Sequence, residues 1–113
     1  MKVIDQTLTL LELKNLADNT FGDMIKAVVD LDKQLLAVDA ELHSDLEALL
    51  IQEGSKQKDL WGINLYPQRT QDNFIEFDSM INVRPSQGNR SRGVEDEKMR
   101  KEIIKLVHQR IKS

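Results

Sequence analysis

The sequence predicts an α+β fold: two layers, a four-stranded and mainly antiparallel sheet with three helices, in the order α-β-β-α-β-β-α. Three observations lead there. Residues 24–31 and 60–66 are dense in β-branched and aliphatic side chains without a helical stripe. Residues 10–19, 40–52 and 95–111 carry aliphatic side chains at three- and four-residue spacing. Short polar turns between strands favour hairpins, hence antiparallel pairing with the helices gathered on one face. A chain of 113 residues suffices for one core without staples, so a single domain over residues 1–113 is expected.

Each element has a local reason. Thr9-Leu10-Leu11-Glu12 is a capping-box pattern, and Leu10, Leu13, Leu16 and Ala17 continue it as a helix that Gly22 stops. Residues 24–31 and 34–38 form a hairpin about Asp32-Lys33. Leu42, Leu46, Leu49 and Leu50 make the stripe of a second helix closed by Gly54. The third strand, 60–66, is stopped by Pro67 and contains Gly62, the mark of a bulge or a close backbone approach. The fourth and longest strand is expected over 74–84, with Ile75, Phe77, Ile81 and Val83 on one face. Met99, Ile103, Leu106, Val107 and Ile111 define the last helix.

Composition excludes several classes. There is no cysteine, so disulfide frameworks, thiolate zinc sites and thiol catalysis are absent. The start lacks an apolar signal region and no apolar run is long enough to span a bilayer, so a cytoplasmic protein without membrane contact is expected. A net charge of −3 argues against nucleic-acid binding. The charge is divided: residues 5–53 hold eleven Asp/Glu and three Lys, residues 54–113 eight Asp/Glu and twelve Lys/Arg. Such halves complement each other within one fold, across a subunit interface or toward a partner.

The most conspicuous segment is 81–92, which holds Arg84, Arg90 and Arg92 and no acid. Gly88 and Gly93 have the spacing of a nucleotide phosphate loop, but Val94-Glu95 replace its Lys and hydroxyl. What remains is a generic anion cradle of Arg84, Ser86, Gln87, Asn89 and Arg90. The competing reading is a structural turn whose arginines meet Asp30, Asp32, Glu76 or Asp78. His43, Glu76 and Asp78 are the acid–base candidates, His43 having Glu47 one turn on. The pairs Asp30/Asp32 and Glu76/Asp78 would gather round a cation only if the first and fourth strands were neighbours. No dedicated metal spacing is present, and neither metal nor cofactor is expected.

Segments 21–30, 41–50 and 75–91, with Gly54-Ser55-Lys56-Gln57 and Leu60-Trp61-Gly62-Ile63-Asn64-Leu65-Tyr66-Pro67, carry a resemblance covering most of the chain. The chain resembles domain-of-unknown-function family 5674, small uncharacterised prokaryotic proteins. The resemblance implies no activity and no catalytic residue. Two readings follow from the residues. The first is an interaction module, a homodimer pairing through its charged sheet face. The second is a binder, or an enzyme, of a small phosphorylated or carboxylated anion at the 84–92 loop.

Overall fold

A computed structural model describes residues 1–113 apart from the side chain of Gln71. The fold is mixed α and β around a five-stranded antiparallel sheet. Its strands are β1 (Lys2–Ile4), β3 (Ile25–Asp30), β4 (Leu35–Val38), β5 (Leu60–Leu65) and β6 (Ile75–Glu76), in the order β1-β4-β3-β5-β6. A separate two-stranded parallel pair joins β2 (Leu8–Thr9) to β7 (Ile111–Lys112). The four described α-helices are α1 (Leu10–Asp18), α2 (His43–Gln52), the single turn α3 (Gln71–Phe74) and α4 (Glu97–Arg110).

Local chemistry explains the ends of these elements. Thr9 and Glu12 form the reciprocal capping box at α1. Gly22 (φ 92°) and Gly54 (φ 106°) take the left-handed conformation just beyond α1 and α2, which glycine adopts without steric cost. Asp96 caps α4, its carboxylate accepting the Lys98 and Met99 N–H groups. The β3–β4 turn is four residues, 31–34, rather than a tight pair. Asp30, only 1% exposed, organises it by accepting the Asp32 and Lys33 N–H groups and the Ser55 hydroxyl.

Beyond the single-turn α3, a fourth helix where three were expected, three expectations are corrected. The sheet gains a fifth strand, because Val3 and Ile4 pair with Ala37 and Leu36 although three residues are too few for a visible alternation. The helices divide between the two faces instead of sharing one. Leu13 and Ala17 of α1 and Ile103, Leu106 and Val107 of α4 pack with Ile25, Ala27, Val29 and Trp61. On the reverse face Leu46 and Leu50 of α2 pack with Val28, Ala37 and Leu60. With apolar side chains on both sides, β3 and β5 require cover on both.

The third correction concerns residues 74–84, which do not form one long strand. Only Ile75–Glu76 pair with β5. The chain then rises off the sheet into 3₁₀ turns at Met80–Asn82 and Pro85–Gln87. Ser79 packs so closely over Gly62 that a Cβ there would stand 2.6 Å from the serine side chain. The Asn82 carboxamide replaces the missing ladder, accepting the Gly62 N–H at 2.8 Å and donating to the Gly62 carbonyl at 2.9 Å. One step further along β5, the Leu60 carbonyl accepts from the Arg84 guanidinium. The outer edge of β5 is thus satisfied by β6 backbone, then a carboxamide, then a guanidinium.

Candidate functional site

On the α2 side of the sheet, the end of β3, β5 and β6 carries polar residues, of which Lys26 is half-buried, Asn64 buried and Glu76 exposed. There the register places Lys26 beside Asn64 and Asn64 beside Glu76. Cross-strand partners share a face, so the three form one row with a cation at one end and a carboxylate at the other. Adjacent strands are roughly 4.8 Å apart, which separates the two charges by about 10 Å. The Lys26 ammonium lies 5.5 Å from the Phe21 ring centroid. Glu76 Oε1 accepts from Asn64 Nδ2 at 2.8 Å and from the Tyr66 hydroxyl at 3.1 Å. Partial burial and the Glu76 carboxylate raise the Tyr66 phenol above its ordinary pKa.

His43 and Asp78 adjoin the row at Asn64, Asp78 through its backbone carbonyl and not its carboxylate. Asn64 is 6% exposed; its Nδ2 reaches the Asp78 carbonyl at 3.4 Å, and its Oδ1 has no hydrogen-bond partner among the described residues. The Asp78 carboxylate pairs with Arg92 at 2.6 Å. His43, buried as the first residue of α2, donates Nε2–H to the Ile63 carbonyl at 2.8 Å. That bond fixes the neutral tautomer and leaves Nδ1 as the basic atom. Burial holds the His43 pKa below its ordinary value of 6.5, the Ile63 bond opposes this, and Lys26 lowers it further. Glu47 faces Arg84 rather than His43 in its electrostatics.

The five anion candidates are differently placed. Arg84 is 9% exposed, with its guanidinium stacked 4.3 Å over the Trp61 ring and donating to the Gln57 and Leu60 carbonyls. Burial lowers its pKa, and Glu47 opposes the shift. Gln87 accepts from Arg84 and donates to the Lys58 carbonyl. Asn89, 4% exposed, donates to the Asn82, Ser91 and Gly93 carbonyls and accepts the Glu95 N–H. Ser86 and Arg90 are exposed. The Arg90 and Ser91 N–H groups, which an anion would seek, already donate to the Glu95 carboxylate, and these bonds hold its pKa below the usual range. The pairs Asp30/Asp32 and Glu76/Asp78 do not converge, since β5 lies between β3 and β6.

Together these features define a small α+β protein with helices on both faces of an antiparallel sheet, one edge closed by side chains and one charged row at the end of β3, β5 and β6. Over residues 2–110 the chain matches the family described as Protein of unknown function (DUF5674), and it belongs to that family. No curated protein and no solved structure matches it. No helix among the described residues is long and apolar enough to cross a membrane.

Proposed function

We propose that this protein is an interaction module that pairs with a second copy of itself through the Lys26–Asn64–Glu76 row. The single observation carrying this reading is the order of charge along the row. A two-fold axis through its neutral centre sets Lys26 of each copy against Glu76 of the other, and isologous contacts require such self-complementarity. The distribution of ion pairs supports it. Among the described residues, the N-terminus pairs with Asp39, Lys58 with Asp59, Arg92 with Asp78 and Lys101 with Glu97. None joins the acidic half of the chain to the basic half, although Glu47 attracts the buried Arg84 guanidinium.

Charge alone does not hold such a dimer, because exposed pairs contribute about 0.2–1 kcal/mol each. Apolar area is available beside the row: Phe21 is 43% exposed next to Lys26, and Leu42, immediately before His43, is 55% exposed. Self-association is favoured over anion capture at the 84–92 loop because both Arg84 Nη groups and the Gln87 and Asn89 amides already donate to backbone carbonyls, and the unpartnered Arg84 Nε is buried.

Charge reversal tests the proposal. In native mass spectrometry at low salt the wild-type chain is expected as a dimer at micromolar concentration. Lys26→Glu and Glu76→Lys are each expected as monomers, and the double reversal as a dimer again. A monomeric wild type overturns the reading, as does a double reversal that stays monomeric while its circular dichroism is unchanged.

A further inference from the structure

We propose a binding site for a small amphipathic carboxylate in the groove between α3–β6 and the C-terminal half of α4. The groove consists of two adjoining cavities, of about 280 Å³ and 410 Å³, that share His108 as a common wall. Leu10, Phe74 and Ile111 give the first cavity an apolar floor, Arg69 and Lys112 add two cations, and Thr70, His108 and Ser113, the last residue, complete its walls. Ile75, Phe77 and Ile104 line the second, together with Asp72. Apolar walls with a few placed polar groups are the usual make-up of a small-ligand site.

Charge orients the occupant. A carboxylate fits at the Arg69–Lys112 end, where guanidinium and ammonium meet it with charge-assisted hydrogen bonds. Asp72 repels it from the other cavity, which takes the apolar tail past His108. Neither cation forms an ion pair among the described residues. The Arg69 guanidinium is held in place by stacking 3.7 Å from the Tyr66 ring centroid, and the β7 pairing with Thr9 fixes the Lys112 backbone, though not its ammonium. Groups positioned in advance lose little freedom when a ligand arrives, which raises affinity.

Octanoate is a suitable probe and octanol its uncharged control. In an NMR titration of the full chain, octanoate is expected to saturate with a dissociation constant of about 1 mM or below, in keeping with ten heavy atoms at ordinary efficiency. Its shifts should centre on Ile104 and His108, and octanol should bind about tenfold more weakly. Arg69→Gln with Lys112→Gln is expected to weaken octanoate about tenfold. Ile104→Asp, at an exposed position, is expected to abolish binding without changing the thermal midpoint, and it keeps the test intact should the double variant fold poorly. Absence of saturation overturns the site. Equal affinity for octanol, or full affinity in a folded double variant, overturns the assignment of the anionic head.

Discussion

Asn82 shows how one side chain substitutes for a strand. It is fully buried, and its carboxamide makes three hydrogen bonds, two to the Gly62 backbone and one to the Arg92 carbonyl. Truncation leaves those backbone groups dry and unpaired, which costs more than the net value of each bond. Asn82→Ala is therefore expected to lose about 3 kcal/mol in urea unfolding, with the slope unchanged. A loss below about 1 kcal/mol would mean that water reaches Gly62 in its place. His43 makes a pH-dependent contribution. Its folded pKa lies below the ordinary 6.5 because burial disfavours the imidazolium. The unfolded chain therefore binds the proton first. The contribution is complete above the unfolded value and is lost as pH falls through the lowered folded value. Of the charged groups that act on the ring, Lys26 steepens this loss and Asp78 offsets it. His43→Gln should flatten the acid side of a thermal-midpoint profile between about pH 5 and 7; an unchanged profile assigns the loss to other groups.

At the scale of the element, the 60–66 strand and the 74–92 segment are one unit. Gly62 has no side chain because Ser79 and Ile81 occupy that space, Ile81 Cγ1 lying 3.1 Å from a Cβ at this position. Strand propensity alone favours alanine over glycine, but the 2.6 Å approach to Ser79 outweighs it. Gly62→Ala should destabilise by about 1–3 kcal/mol through overpacking. In combination with Asn82→Ala it should cost less than the sum, since both lift the same segment from β5. A strictly additive double variant in urea titrations would show that the two act separately. The glycine was legible as a close backbone approach; what approached it was not. Phe77 and Ile81 have the spacing of two residues on one strand face, yet they reach opposite packing clusters, one on each side of the sheet. That spacing misled, since a chain crossing the sheet edge presents the same pattern as a strand lying in it.

Across the whole molecule, helices pack on both faces of the sheet, and Lys26, Asn64 and Glu76 make up a charged row at one end of it. Burial of Leu46 and Leu50 beneath α2 contributes about 2 kcal/mol apiece, so the second layer is held firmly. The self-association proposed at the row rests on exposed charges and is therefore expected to weaken with added salt, read as a falling dimer fraction in native mass spectrometry. The helix stripes, the capping box, the glycine stops and the core strands were readable from 113 residues because each obeys a local rule of spacing or cap chemistry. Glu76 and Asp78 were expected on one polar strand face and His43 on the second helix beside its leucine stripe. Tertiary structure alone decided that Glu76 accepts from Asn64 and Tyr66 while Asp78 pairs with Arg92, that β5 separates Asp30 from Glu76, that α2 takes the opposite face from α1 and α4, and that Arg84 closes a sheet edge. Those outcomes depend on which segments meet across the fold. Hydrophobic spacing records that a side chain is buried, but not which face of the sheet buries it or which carbonyl its donors find.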